Sequence, residues 1–158
     1  MSPSFFHQLY SVISDVDAYS KFIPYCMASR VLGPSAADAQ AHNGVATVDA
    51  ELTIGFSAIR ESYVSEVSMK PGQWVSASAK PSALFQDLRT GWTFTQLSPT
   101  PSGAPQTHVV FTLQYAFSSP LYAALARNAF ATLSTQMVDA FRQRADALYR
   151  RRGGHVRN

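Results

Sequence analysis

The chain has 158 residues, 46% hydrophobic and 15% charged, with a formal net charge of +3. That length supports one domain with a substantial core and is short for two, and no run approaches the 18 or more apolar residues of a transmembrane helix. The single cysteine, Cys26, excludes an internal disulfide, and the first 17 residues hold Asp15 and Asp17 but no Lys or Arg, which predicts neither a signal peptide nor a basic presequence.

Phe5, Phe6, Leu9, Tyr10, Val12, Ile13 and Val16 recur at helical spacing, predicting a first helix over about 4–16 with Pro3 at its start. Asp17 then caps a second short helix that runs to Phe22 or Ile23, before Pro24 stops it. Ser29-Arg30-Val31-Leu32 leads into Gly33-Pro34, and residues 35–44, rich in Ala, Ser, Asp and Asn, read as a loose loop. From Gly44 onward the period falls to two. Ala46, Val48, Ala50, Leu52, Ile54 and Phe56 alternate with Thr47, Asp49, Glu51 and Thr53, which gives a strand with one dry and one wet face. Tyr63, Val67 and Met69 alternate with Ser62, Glu66 and Ser68. After a turn at Pro71-Gly72, residues 74–80 form a strand of small side chains, which leave room. Residues 81–90 read as a loop whose apolar Leu84, Phe85 and Leu88 need a pocket or a partner. A strand over 91–97, a polar loop over 98–106 and a long strand over 107–117 follow, the last presenting Val109, Phe111, Leu113, Tyr115 and Phe117 on one face.

Residues 118–152 read as one long terminal helix. Ser119 suits the cap and Pro120 the first helical position, while Gly153-Gly154 ends the run just past Arg150, Arg151 and Arg152, whose charges complement the carbonyl end. Ala126, Phe130, Leu133, Met137, Phe141, Ala145 and Leu148 form one apolar stripe. A helix of roughly 30 residues, about 45 Å long, must lay that stripe on something, and the strands supply a sheet. The layout is therefore α+β: two short helices, about six antiparallel strands, and a long C-terminal helix gripped by a curved sheet. We assign residues 1–152 to a single domain and 153–158 to a basic tail. Residues 120–158 hold seven basic and two acidic side chains, a net +5, against −2 for everything before them. Such a basic end either meets an anionic surface or is a solvated helix terminus. Nucleic acid is disfavoured, because no aromatic-basic interleaving or helix-turn-helix pattern accompanies the arginines.

Catalytic and cofactor patterns are sparse. His7, His42, His108 and His155 are scattered, with no Cys or carboxylate at metal-ligand spacing, and no glycine-rich phosphate loop occurs. Cys26 reads as a small buried hydrophobe rather than a nucleophile. Asp49, Glu51, Glu61 and Glu66 offer acid-base chemistry or merely solvated strand faces. What remains is apolar: Phe22, Ile23, Leu52, Ile54, Phe56, Leu84, Phe85, Leu88, Trp92, Phe94, Phe111, Phe130, Leu133, Met137 and Phe141 are predicted to point between sheet and helix. They either line a ligand cavity or fill an ordinary core.

Val12-Ile13-Ser14-Asp15-Val16-Asp17-Ala18-Tyr19-Ser20-Lys21-Phe22-Ile23-Pro24-Tyr25-Cys26, Ala50-Glu51-Leu52-Thr53-Ile54-Gly55-Phe56, Glu61-Ser62-Tyr63-Val64-Ser65, Leu84-Phe85-Gln86-Asp87-Leu88 with Trp92-Thr93-Phe94, and the segment from Ser119-Pro120-Leu121-Tyr122 to Met137-Val138-Asp139-Ala140-Phe141 appear in an order that resembles the coenzyme Q-binding proteins of the START-like (polyketide cyclase/lipid transport) superfamily. The resemblance covers nearly the whole chain. It implies a helix-grip fold, a lipid cavity between sheet and helix, no catalytic cofactor, and ubiquinone as bound ligand. It further implies support of respiratory electron transport and ubiquinone biosynthesis, peripherally on the matrix side of the mitochondrial inner membrane or its bacterial counterpart. The expected partners are quinone-biosynthesis or respiratory proteins and an anionic membrane surface, the latter expected from the +5 C-terminal segment and met by Arg150, Arg151 and Arg152. Two alternatives stay open: a cyclase-like or hydrolytic enzyme using Tyr63, Glu61 or Glu51, and an interaction module of a quinone-biosynthesis complex. Tyr25 stands where the family usually has Trp, and Leu84 where it usually has Pro. The family's first strand, before the residues matching Ser2-Pro3, is missing, so the chain is either a fragment or has a sheet with an exposed first edge.

Overall fold

The computed structural model describes residues 5–35 and 44–153. Helix α1, Phe5–Ser14, turns Phe6, Leu9, Val12 and Ile13 into the core, the face that its apolar spacing dictates. It stops short of Val16, where a 3-10 helix takes over through Lys21. The Tyr19 hydroxyl closes that junction by donating to the Ile13 carbonyl, one of the carbonyls the helix end leaves free. Asp17 does not cap the second helix. That position belongs to Asp15, which makes no side-chain capping bond. Asp17 Oδ1 instead accepts from the Val31 amide at 2.7 Å, and the Asp17 carbonyl accepts from the Ser29 hydroxyl at 3.2 Å. Val31 lies on an edge strand, so its amide needs an acceptor from outside the ladder, and the carboxylate meets that need.

Six strands follow: β1 (Cys26–Pro34), β2 (Ala46–Phe56), β3 (Ile59–Lys70), β4 (Trp74–Ala79), β5 (Phe85–Leu97) and β6 (Gln106–Phe117). Each pairs antiparallel with the next, so β1 and β6 are the edges of one open sheet. Among the described residues no strand precedes β1. The β3–β4 turn works because Gly72 adopts φ +76, a conformation in which an L side chain would be strained. The predicted dry face of β2 holds from Ala50 onward. At its start Thr47 is buried and Ala46 exposed, and Thr47 Oγ1 shares a 3.0 Å hydrogen bond with Ser68 Oγ.

Two expectations are corrected. Residues 85–90 are not a loop, because β5 begins at Phe85. A register shift against β6 between Phe85 and Asp87 interrupts the alternation, so the buried side chains fall at 85, 88, 92 and 94, and strict period-two reading loses the strand. The terminal helix is also two helices: α2 (Pro120–Phe130) and α3 (Leu133–Gly153). Ser119 Oγ accepts from the Tyr122 amide at 3.1 Å and Pro120 occupies the first turn, as the sequence predicts. The break at Ala131-Thr132 leads into Thr132, Ser134 and Thr135, whose hydroxyls and branching weaken helix continuity. Phe130 and Leu133 stay three residues apart and both are buried, so the apolar stripe crosses the break intact. It fails at its end, where Leu148 is exposed.

The core joins the inner sheet face to α1, α2 and α3. Trp92 of β5 meets Phe141 of α3 at 5.1 Å between ring centroids, and Phe6 of α1 meets Phe94 at 5.2 Å. The predicted loop at 35–44 lies largely outside the described residues, as do Ser2-Pro3 and the tail beyond Gly153.

Candidate functional site: an apolar cavity between sheet and helices

A cavity of about 110 Å³ lies between the inner sheet face and the helices. Its walls come from strand positions two apart, Leu52 and Ile54 on β2, Val67 on β3, Val75 and Ala77 on β4, Trp92 on β5, and Phe111 and Leu113 on β6. Phe130 of α2 and Leu133, Met137 and Phe141 of α3 close it from above. Small side chains at Ser65, Ala77 and Thr90 leave space that the opposing aromatics do not fill. The enclosed volume is far below the roughly 300–1,000 Å³ expected of a small-molecule site. A ligand larger than a single small ring therefore needs its walls to move apart.

Eleven of the fifteen apolar residues expected from sequence between sheet and helix stand in this wall: Ile23, Leu52, Ile54, Phe85, Leu88, Trp92, Phe111, Phe130, Leu133, Met137 and Phe141. Phe22, Phe56, Leu84 and Phe94 do not line it. Phe22 meets Phe141 at 5.2 Å, and the Arg144 guanidinium lies over the Phe22 ring, 5.5 Å from its centroid. Phe56 sits between Tyr25 at 5.5 Å and Phe130 at 5.9 Å, and Phe94 lies under Phe6 and Tyr10 of α1. Leu84, Phe85 and Leu88, expected on a loop in need of a pocket or a partner, are buried in or beside β5. Arg150, Arg151 and Arg152 fall in the last turn of α3, and their side chains lie outside the described residues.

The sequence reading missed most of the wall's polar atoms. Tyr19, Cys26, Ser65 and Thr90 line the cavity, and Tyr63, considered only as a catalytic candidate, lines it too. Ser65 was legible as a polar residue on the dry face of β3, between Tyr63 and Val67. Burial pushes the Tyr19 and Tyr63 hydroxyls well above the usual tyrosine range and the Cys26 thiol up to about 11, so all three are neutral at ordinary pH. The Cys26 thiol faces the Ala28 carbonyl at 3.4 Å.

Among the described residues no carboxylate, histidine, lysine or arginine lines the cavity. Glu51 pairs with Arg30 at 3.4 Å on the exposed face of β2, and Asp49 with Lys80 at 3.4 Å. Glu61 accepts from the Tyr122 hydroxyl outside the wall. Among the described residues no group of three His, Cys, Asp or Glu converges as a metal site.

The mouth is marked by Pro24 and Tyr25, which also line an open groove between the segment 22–25 and α3 with Phe22, Gln136 and Arg144. Tyr25 adopts φ 64, uncommon for a side chain of its size, while its carbonyl accepts from the Gly55 amide at 2.9 Å and its ring packs on Phe56. The close approach needs Gly55: a Cβ there would stand 2.0 Å from the Met27 sulfur.

The sequence matches the family described as polyketide cyclase / dehydrase and lipid transport over residues 6–142. The chain belongs to this family. Within it, the chain is 35% identical over 90% of its length to a mitochondrial coenzyme Q-binding protein of Dictyostelium discoideum, and 37% identical over 91% to a homologue in Xenopus laevis. It spans only 64% and 54% of those two relatives. It is also 30% identical, over 90% of its length and 88% of the relative's, to the ribosome association toxin RatA of Vibrio cholerae. The Zhui aromatase/cyclase of Streptomyces shares the fold, with a TM-score of 0.70 over 94% of this chain and 91% of that one, at 13% identity. Among the described residues no helix is long and apolar enough to cross a membrane.

Proposed function

We propose that this protein binds ubiquinone or another polyprenyl quinone without transforming it, and presents it to respiratory electron transport and quinone biosynthesis. The observation that carries this reading is the enclosed apolar cavity, walled by neutral side chains, in a chain whose relatives include proteins named for coenzyme Q binding. An acid-base enzyme on the same fold needs a carboxylate or imidazole in the wall, and Glu51, Glu61, Glu66 and Asp49 all stand outside it. The site of action is the matrix face of the mitochondrial inner membrane, or the equivalent cytoplasmic face in a bacterium, with the protein held peripherally. A quinone tail is too insoluble to cross water, and the closed cavity is too small to admit it. Loading therefore occurs in contact with lipid, and the net +5 of residues 120–158 supplies the attraction to anionic headgroups through Arg150, Arg151 and Arg152. Purified protein offered ubiquinone in liposomes, then re-isolated and extracted, should yield quinone by mass spectrometry. Protein that remains empty overturns the reading.

A further inference from the structure

The cavity wall is apolar except at a few points, and those points are not equivalent. The Tyr19 hydroxyl is spent on the Ile13 carbonyl, and the Cys26 thiol faces the Ala28 carbonyl. Three hydroxyls on the sheet side, those of Tyr63, Ser65 and Thr90, line the cavity without any side-chain hydrogen bond to the described residues. Tyr63 is 9% and Ser65 5% exposed as whole residues, and the exposure their oxygens keep is onto the cavity they line. Buried hydroxyls ordinarily find partners, because desolvating one without compensation is unfavourable. Both also open onto the cavity between the sheet and the helices.

Their placement is orderly. Tyr63 and Ser65 are two residues apart on β3 and share its inner face. Thr90 lies two strands away on β5, opposite Ala77 of β4, which in turn pairs with Val67 of β3. Small side chains thus occupy the floor between the hydroxyls. β3 enters this region from the mouth, where Glu61 stands opposite Ile54, and Ser65 and Thr90 lie on the far side of Tyr63 from it. A flat ring pushed in head first comes to rest on that floor with hydroxyls on two sides.

Resting on the quinone-binding reading, we propose that Tyr63, Ser65 and Thr90 form the headgroup subsite. They donate to the ring's carbonyl oxygens, while the isoprenoid tail runs back past Ile54 and Met137 to the mouth at Tyr25. The wall holds no charge to compensate a charged ligand, so the site selects a neutral ring bearing oxygen acceptors. A hydroxyl both donates and accepts, and the same three groups therefore hold the quinone and its reduced quinol.

The test uses the full chain and four variants, Tyr63→Phe, Ser65→Ala, Thr90→Val and the triple change. Two probes are titrated: a ubiquinone with a two-isoprene tail, and a hydrocarbon of matching tail length that has no oxygen. Each single change should weaken quinone binding about fivefold, and the triple change more than thirtyfold, with hydrocarbon affinity unchanged or improved. The ligand-free variants should melt at the same temperature as wild type or higher, since each loses a hydroxyl that has no partner. Equal quinone affinity in wild type and triple variant overturns the subsite and leaves the quinone reading standing. A parallel loss for both probes, or a lowered melting point without ligand, also overturns it, because the hydroxyls are then structural. If wild type binds the hydrocarbon but not the quinone, the quinone reading falls and the subsite with it.

Discussion

The hydroxyl of Tyr122 donates a 2.7 Å hydrogen bond to Oε1 of Glu61, joining the first turn of α2 to β3 across 61 residues of sequence. The bond explains why Glu61 is unavailable to the cavity, and it holds the tyrosine proton: the carboxylate, then burial, keeps the Tyr122 hydroxyl above its ordinary pKa. α2 ends at the break at Ala131-Thr132, so this contact restrains one end of a short helix whose other end, Phe130, is a cavity wall. Replacing Tyr122 with Phe should raise amide hydrogen exchange across 120–130 and speed quinone exchange with liposomes, while exchange in β2 and β3 stays unchanged. Unaltered protection of α2 in this variant shows that packing alone holds the helix.

Phe141 is 1% exposed and meets Tyr19, Phe22 and Trp92 edge to face. Phe141→Ala should cost about 3–5 kcal/mol of stability, and Leu133→Ala about 2–5 kcal/mol, read from denaturant midpoints, with quinone content falling in both. Ala77→Trp works in the other sense. It fills the floor of the cavity and should exclude ligand at an overpacking cost of about 1–3 kcal/mol. Val48→Trp, which the alternation on β2 puts equally inward, falls outside the cavity wall and should leave ligand content unchanged.

Much of this site was legible because β2 from Ala50 onward and β6 around Phe111 alternate: Leu52, Ile54 and Phe111 announce their face by spacing alone. Phe85 and Leu88 were recognised as apolar residues in search of a pocket, yet their strand was hidden by a bulge, which shifts the side-chain phase by one and leaves no pattern in a single sequence. The break after Phe130 was equally hidden, since the apolar stripe runs through it at ordinary helical spacing and only the hydroxyl-bearing residues 132, 134 and 135 hint at it. The polar wall was overlooked for a different reason. Ser65 lies on the dry face by register, and polarity normally assigns such a residue to the wet one.

Cys26 provides a pH test. Its thiol is pushed up to about 11 by burial, above an ordinary value of 9.0. The native state therefore keeps the proton longer than the unfolded chain does. Its contribution to stability is fully present below about pH 9 and is lost as pH rises through 11. Urea midpoints should fall over that window, and less steeply in Cys26→Ala. The same burial should make the thiol slow to alkylate at pH 7.5, and slower still with quinone bound.

Replacing Arg150, Arg151 and Arg152 with Gln should weaken binding to anionic liposomes at low ionic strength. The difference should shrink at high salt, where screening already removes the attraction. Equal affinity of mutant and wild type at low salt assigns these arginines to the helix end alone.

The placement of the two tryptophans has a practical consequence. Trp92 is 5% exposed in the cavity wall, against Phe111 and Phe141, whereas Trp74 is only half-buried at the start of β4 and does not line the cavity. Their fluorescence should separate into a blue component from the dry indole and a redder one from the wetter. A quinone is an electron acceptor, and one seated against Trp92 quenches the blue component first. Occupancy thus writes itself into the emission colour, and Trp92→Phe should leave a spectrum indifferent to ligand.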